Sequence, residues 1–139
     1  MTIRTLIGAS CCAALAIAAV MPAAALGSGE TVTPYFQHAI PNIPGKSMVS
    51  LIVDYAPGGA SPSHTHARSA FIFAYVLSGE IESKVNDAHV RVYRAGESWY
   101  EDPGATHSIS RNASKTRPAK LLAVFVVDTD DKQLVTPVK

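Results

Sequence analysis

From residue 46 onward, glycine, proline and Asn-Asp turn signals cut the chain at short intervals, and this limits its fold more than any other feature. Pro57-Gly58-Gly59, Pro62, Gly79, Asn86-Asp87, Ala95-Gly96 and Pro103-Gly104 leave only short runs between them. Those runs carry the β-branched and aromatic residues that suit a pleated, half-buried surface. Strands are predicted over Met48 to Tyr55 and Phe71 to Leu77, and in the alternating Ile81, Ser83 and Val85. Others are predicted over His89 to Tyr93, Ser98 to Glu101, Thr106 to Ser110 and Leu121 to Val127. No amphipathic helix is legible after residue 30. Many short strands with Gly/Pro turns point to an all-β sandwich or barrel.

Within this frame, the histidines are placed for metal chemistry. His64-Thr65-His66 puts two imidazoles at i and i+2. On a strand both point to one face, about 6–7 Å apart along the backbone. His107, after Pro103-Gly104, can join them by sheet pairing and supply a third donor. A lone His-x-His is usually an ordinary surface or core pair. The glycines and prolines around these two segments favour the site.

The same segments resemble the two motifs of the cupin family. Gly58 is followed by five residues and then His64-Thr65-His66, with Gly79 closing the first motif. Gly96 leads through Glu97 to Asp102 into Pro103-Gly104, then His107 and Asn112, which look like the second. Together they cover residues 58 to 112. The resemblance implies a double-stranded β-helix, or jelly roll, with His64, His66 and His107 as metal ligands. One departure stands out. The family's glutamate ligand falls at Ala70, Phe71 or Ile72, and none is a carboxylate. Ile72 would put an apolar group in the vacant seat. Three neutral ligands would leave a divalent ion its full charge, a strong Lewis acid open to anionic substrates. Glu101 reads either as a hydrogen-bonding strand-end carboxylate or as a substitute ligand or base; it and Ile72 are the candidate pocket residues.

The ends carry separate signals. Arg4, the apolar run Leu6 to Val20 and Ala23-Ala24-Ala25 read as a secretory signal peptide over residues 1–25. Cys11 and Cys12, the chain's 2 cysteines, both fall there, in a context unlike a lipidation site. The remaining chain of about 114 residues has no cysteine, so no disulfide supports it in an oxidising compartment. It is divided into an irregular segment over 26–45, the folded domain over 46–128 and a tail over 129–139. The chain has 12 basic and 11 acidic residues, and Arg4 belongs to the leader, so the rest is close to neutral. No basic stripe argues for nucleic acid, and no second segment argues for a membrane.

The sequence therefore predicts a small exported cupin, periplasmic or extracellular, with a divalent ion bound by imidazoles. Zn, Cu, Fe, Ni and Mn are all compatible with such donors. A Sec-type leader, without a twin arginine, favours zinc or copper over iron. The expected ligand is a small organic molecule, anionic or enolisable, and dioxygenase-like chemistry is favoured. Isomerase or lyase chemistry and a non-enzymatic binding or sensor module are the alternatives. If Ile72, Ala74 and Val76 face inward, Phe71, Phe73, Tyr75 and Leu77 face outward. Another sheet, the N-terminal segment or the second subunit of a homodimer must then cover them. His38, His89 and Arg68 are read as surface or structural residues, and Trp99 and Tyr100 as packing residues.

Overall fold

The computed structural model describes residues 29–139. The signal-peptide reading of residues 1–25 falls outside them. The described residues form strands and no helix: β1 Glu30–Ala39, β2 Lys46–Tyr55, β3 His64–His66, β4 Phe71–Ser78, β5 Glu80–Val85, β6 Arg91–Arg94, β7 Ser98–Glu101, β8 Thr106–Asn112, β9 Ala119–Asp128 and β10 Val135–Pro137. One antiparallel sheet runs β1-β2-β9-β4-β7 and the other β10-β3-β8-β5-β6. This is the expected jelly roll.

The segment read as irregular is corrected here. β1 pairs with β2 from Glu30↔Tyr55 to Ala39↔Ser47. The content of proline and small polar residues argued against a strand. Pro34, however, lies on the edge strand, where the register shifts between Pro34 and Phe36. An edge strand with a bulge tolerates a residue that cannot donate to the ladder. The tail also contributes structure. Val135–Pro137 pairs with His64–His66 and so sits beside the histidine pair.

The core fills the space between the sheets. Ile72, Ala74 and Val76 of β4 are almost fully buried, as the alternation required. They pack with Val53 and Tyr55 of β2 and with Leu121, Ala123, Phe125 and Val127 of β9 in two adjoining clusters. The opposite face of β4 leaves Phe71, Phe73 and Leu77 exposed, and Tyr100 of β7 stacks on Phe71. Gly79 turns β4 into β5 at φ +74°, where a Cβ would come within 2.7 Å of the Pro118 carbonyl. Only glycine fits that close approach without strain.

Candidate metal centre

Register brings the three histidines together. β3 pairs with β8 so that His64 lies directly opposite His107, and His66 follows two residues along the same face. One ring nitrogen from each histidine lies within 4.8 Å of the corresponding atoms of the other two. Ring centroids are 4.8 Å apart for His64 and His66, and 5.3 Å apart for His64 and His107.

A bulge aims His107. The β5–β8 register shifts between Lys84 and Val85, so that Lys84 faces Ile109 while Val85 faces His107. The extra residue breaks strict alternation and lets both His107 and Ser110 turn inward. Ser83 on β5 then hydrogen-bonds His107 Nε2 at 2.8 Å, leaving Nδ1 toward the cluster. His64 is held by its own loop: Nδ1–H donates to the Pro62 carbonyl at 2.8 Å. That bond fixes the proton on Nδ1 and frees the Nε2 lone pair, as a metal-binding imidazole requires.

The electrostatics keep the donors available. Burial pushes the His107 imidazolium down to about 4, against the pull of Glu101 and with the help of His64 and His66. Burial lowers His64 as well, partly offset by its bond to Pro62. Both rings are therefore neutral near pH 7. His66 is buried, and neither of its ring nitrogens has a hydrogen-bond partner. A buried imidazole without a partner is costly, and a cation at the centre of the cluster removes that cost. The donor set fits a divalent ion.

Glu101 is the main departure from an all-neutral centre. It is 2% exposed, with Oε2 2.9 Å from His66 Nε2 and Oε1 3.2 Å from His107 Nδ1. Trp99 Nε1 donates to Oε1 at 3.0 Å. Burial raises the Glu101 carboxyl, but the contacts with His66, His107 and Trp99 together outweigh it and hold the group below the usual carboxylate value. Glu101, read from the sequence as either a strand-end carboxylate or a substitute ligand or base, thus stands beside the histidines. The spacing count looked for an acid on β4, whereas this one comes from β7. Ile72 does occupy the inner position on β4 and lines the same pocket as Glu101 and the histidines.

The pocket walls are apolar, with Leu51, Val53, Leu121 and Phe125 among them. A second polar group also lines the pocket. Tyr55 Oη bonds Ser61 Oγ at 2.6 Å and Ser110 Oγ at 2.8 Å, and burial pushes its phenol up to about 12. Glu30 is 4% exposed with Oε2 unpartnered, and burial raises its carboxyl against the Ser61 hydroxyl. The sequence reading passed over Glu30 because its strand was not legible. It passed over Ser83 because nothing local distinguishes one inward serine from another.

The remaining candidates fall away from the site. His38, His89 and Arg68 are exposed. Tyr100 faces outward, while Trp99 is buried against Tyr93 and near His107. Asn112 clamps the following loop: Nδ2 donates to the carbonyls of Ala56 and Arg117, and Oδ1 accepts from Ser114 N–H.

Comparison with known proteins agrees with this geometry. The cupin domain model matches residues 51–125, more than half of the chain. The chain belongs to the cupin family. Among relatives of this cupin, germin-like protein subfamily 2 member 2 of Arabidopsis thaliana is 34% identical over 101 residues, covering 70% of this chain and 45% of the relative. The rhicadhesin receptor of Pisum sativum is 29% identical over 101 residues, again covering 70% of this chain and 45% of the relative. This cupin therefore spans about half the length of the curated relatives it matches. A solved structure of recombinant oxalate oxidase in complex with glycolate superposes with a TM-score of 0.60 at 27% identity, covering 79% of this chain and 55% of that one. No helix among the described residues is long and apolar enough to cross a membrane.

Proposed function

We propose that this cupin is an exported metal-dependent enzyme that holds one divalent ion on His64, His66 and His107 and oxygenates a small organic anion or enolisable molecule. One observation carries the reading: three imidazoles converge within 4.8 Å at an apolar pocket, and neither ring nitrogen of His66 makes a hydrogen bond there. A bound divalent ion polarises a substrate oxygen and stabilises negative charge on it. The chain's own residues do the rest. Pro62 and Ser83 orient His64 and His107. Leu51, Val53, Ile72 and Phe125 exclude water and favour a ligand with an apolar part.

The likeness to an enzyme named for oxalate, and solved with glycolate, supports small carboxylates and hydroxy acids as the first substrates to try. The leader-like residues 1–25 support export. Zinc, copper, iron, nickel and manganese all suit imidazole donors, so supply in the native compartment selects the occupant.

The test begins with elemental analysis of protein isolated from that compartment. Oxygen uptake is then measured with oxalate, glycolate and simple enols. The expected result is one equivalent of a divalent metal and substrate-dependent oxygen consumption, both abolished in a His64→Ala/His107→Ala variant. Full metal content in that variant would overturn the site. Tight ligand binding with no turnover would instead identify a binding module, and turnover without oxygen uptake would point to isomerase or lyase chemistry.

A further inference from the structure

We infer that Glu101 is the fourth protein ligand of the metal centre, a carboxylate supplied by β7 in place of the one that the first motif lacks on β4. The inference rests on the metal-centre reading above and extends it to a residue to which neither motif assigns a role. Its basis is register. Ile72 and Glu101 are directly paired across β4 and β7. Directly opposed residues in an antiparallel pair share a face, with Cβ atoms about 5 Å apart. Moving the carboxylate from one strand to its neighbour therefore leaves it within a side chain's reach of the same point. Ile72, 1% exposed and one of the three positions at which the motif acid is sought, lines the pocket from β4.

Contact geometry favours a ligand over an ion-pair partner. Glu101 Oε2 and His66 Nε2 are 2.9 Å apart, yet neither atom has a hydrogen-bond partner. Two buried polar atoms so close, yet too poorly aligned to hydrogen-bond each other, are better satisfied by a shared cation. Donors at adjacent corners of a six-coordinate ion with bonds of about 2.1 Å lie about 3.0 Å apart. The Glu101 Oε2 contact of 2.9 Å to His66 Nε2 falls on that edge length. Trp99 Nε1 donates to Oε1 and so holds the carboxylate plane from the protein side, leaving Oε2 for the ion. A carboxylate in the first sphere cancels part of the ion's charge. This centre then favours a monoanion over a dianion, compared with a centre of histidines alone.

The test uses the mature protein loaded with Mn²⁺, comparing wild type, Glu101→Gln and His64→Ala/His107→Ala. Glutamine is isosteric and keeps an acceptor for Trp99, so the pocket retains its shape. Metal affinity comes from calorimetric titration, and the number of bound waters from water-proton relaxation. Wild type is expected to hold one water fewer than a three-histidine centre allows. Glu101→Gln is expected to gain that water and to bind Mn²⁺ at least about tenfold more weakly, a size a supporting residue also produces. The water count therefore decides. A wild-type count equal to that of a three-histidine centre, or a count unchanged in Glu101→Gln, would overturn the assignment while leaving the histidine site intact. Mn²⁺ binding unaffected by the double histidine variant would instead refute the metal-centre reading itself.

Discussion

At the scale of single residues, the centre depends on what holds each ring. Removing one of three imidazoles leaves two, so His64→Ala or His107→Ala is expected to lower metal occupancy strongly, while His38→Ala and His89→Ala leave it unchanged. Metal analysis after gel filtration checks both. Ser83 touches only the far side of the His107 ring. Ser83→Ala should weaken metal binding by about 10-fold, the lower end for loss of an orienting partner, with little change in far-UV circular dichroism. Position 72 tests the electrostatics. Ile72→Glu would place a second carboxylate directly opposite Glu101. Without metal, the variant should lose several kcal/mol of stability, because one buried charge faces another of the same sign. With metal, much of that loss should return, and paired thermal melts measure the recovery. Equal melting temperatures for parent and variant would mean that residue 72 does not face the centre.

At the scale of elements, short-range rules and pairing contribute differently. β4 and β9 were legible because Phe71 to Leu77 and Leu121 to Val127 are unbroken runs of strand formers. β1 was not, because composition weighs each proline equally, whereas the sheet penalises proline only where a donor is needed. Gly79 shows the reverse case, a local signal with a tertiary cause. Gly79→Ala is expected to destabilise the protein by about 1–3 kcal/mol, since it sets a Cβ at positive φ against the Pro118 carbonyl. Chemical denaturation measures the loss. A change below the error of that measurement would show that the β4–β5 turn can move away from Pro118.

At the scale of the whole molecule, the buried histidines couple stability to pH. Free imidazole titrates at 6.5, but folded His107 takes up its proton only near 4. Between those values the unfolded chain binds the proton and the folded protein does not, so acid favours unfolding. His64 is shifted the same way. The depressed Glu101 contributes stability above 4.5 that is lost as pH falls through its folded value. Glu30, raised by burial, acts in the opposite sense. The metal-free protein is therefore expected to lose stability steadily from pH 6.5 to 4, by about 3 kcal/mol from His107 alone. Melting temperatures across that range are the check, and a metal-free protein equally stable at both ends would refute the neutral, buried His107. Bound metal should protect the protein until protons displace it from the imidazoles.

The chain's local pattern was enough to determine the all-β class, the inward row Ile72, Ala74 and Val76, and the three histidines. The row on β4 and the pair His64 and His66 depend on spacing within a few residues, which a strand's two-residue repeat converts directly into a shared face, while His107 was placed by the motif resemblance and brought in by β3–β8 pairing. Only the tertiary structure decided which carboxylate stands beside them. Glu101 lies 29 positions after Ile72 in the chain and opposite it in the sheet. No local rule links the two, because the pairing of β4 with β7 is a property of the closed barrel. The same holds for Ser83 behind His107, aimed by a bulge in the β5–β8 ladder, and for Glu30, buried only because β1 forms the edge of the sheet.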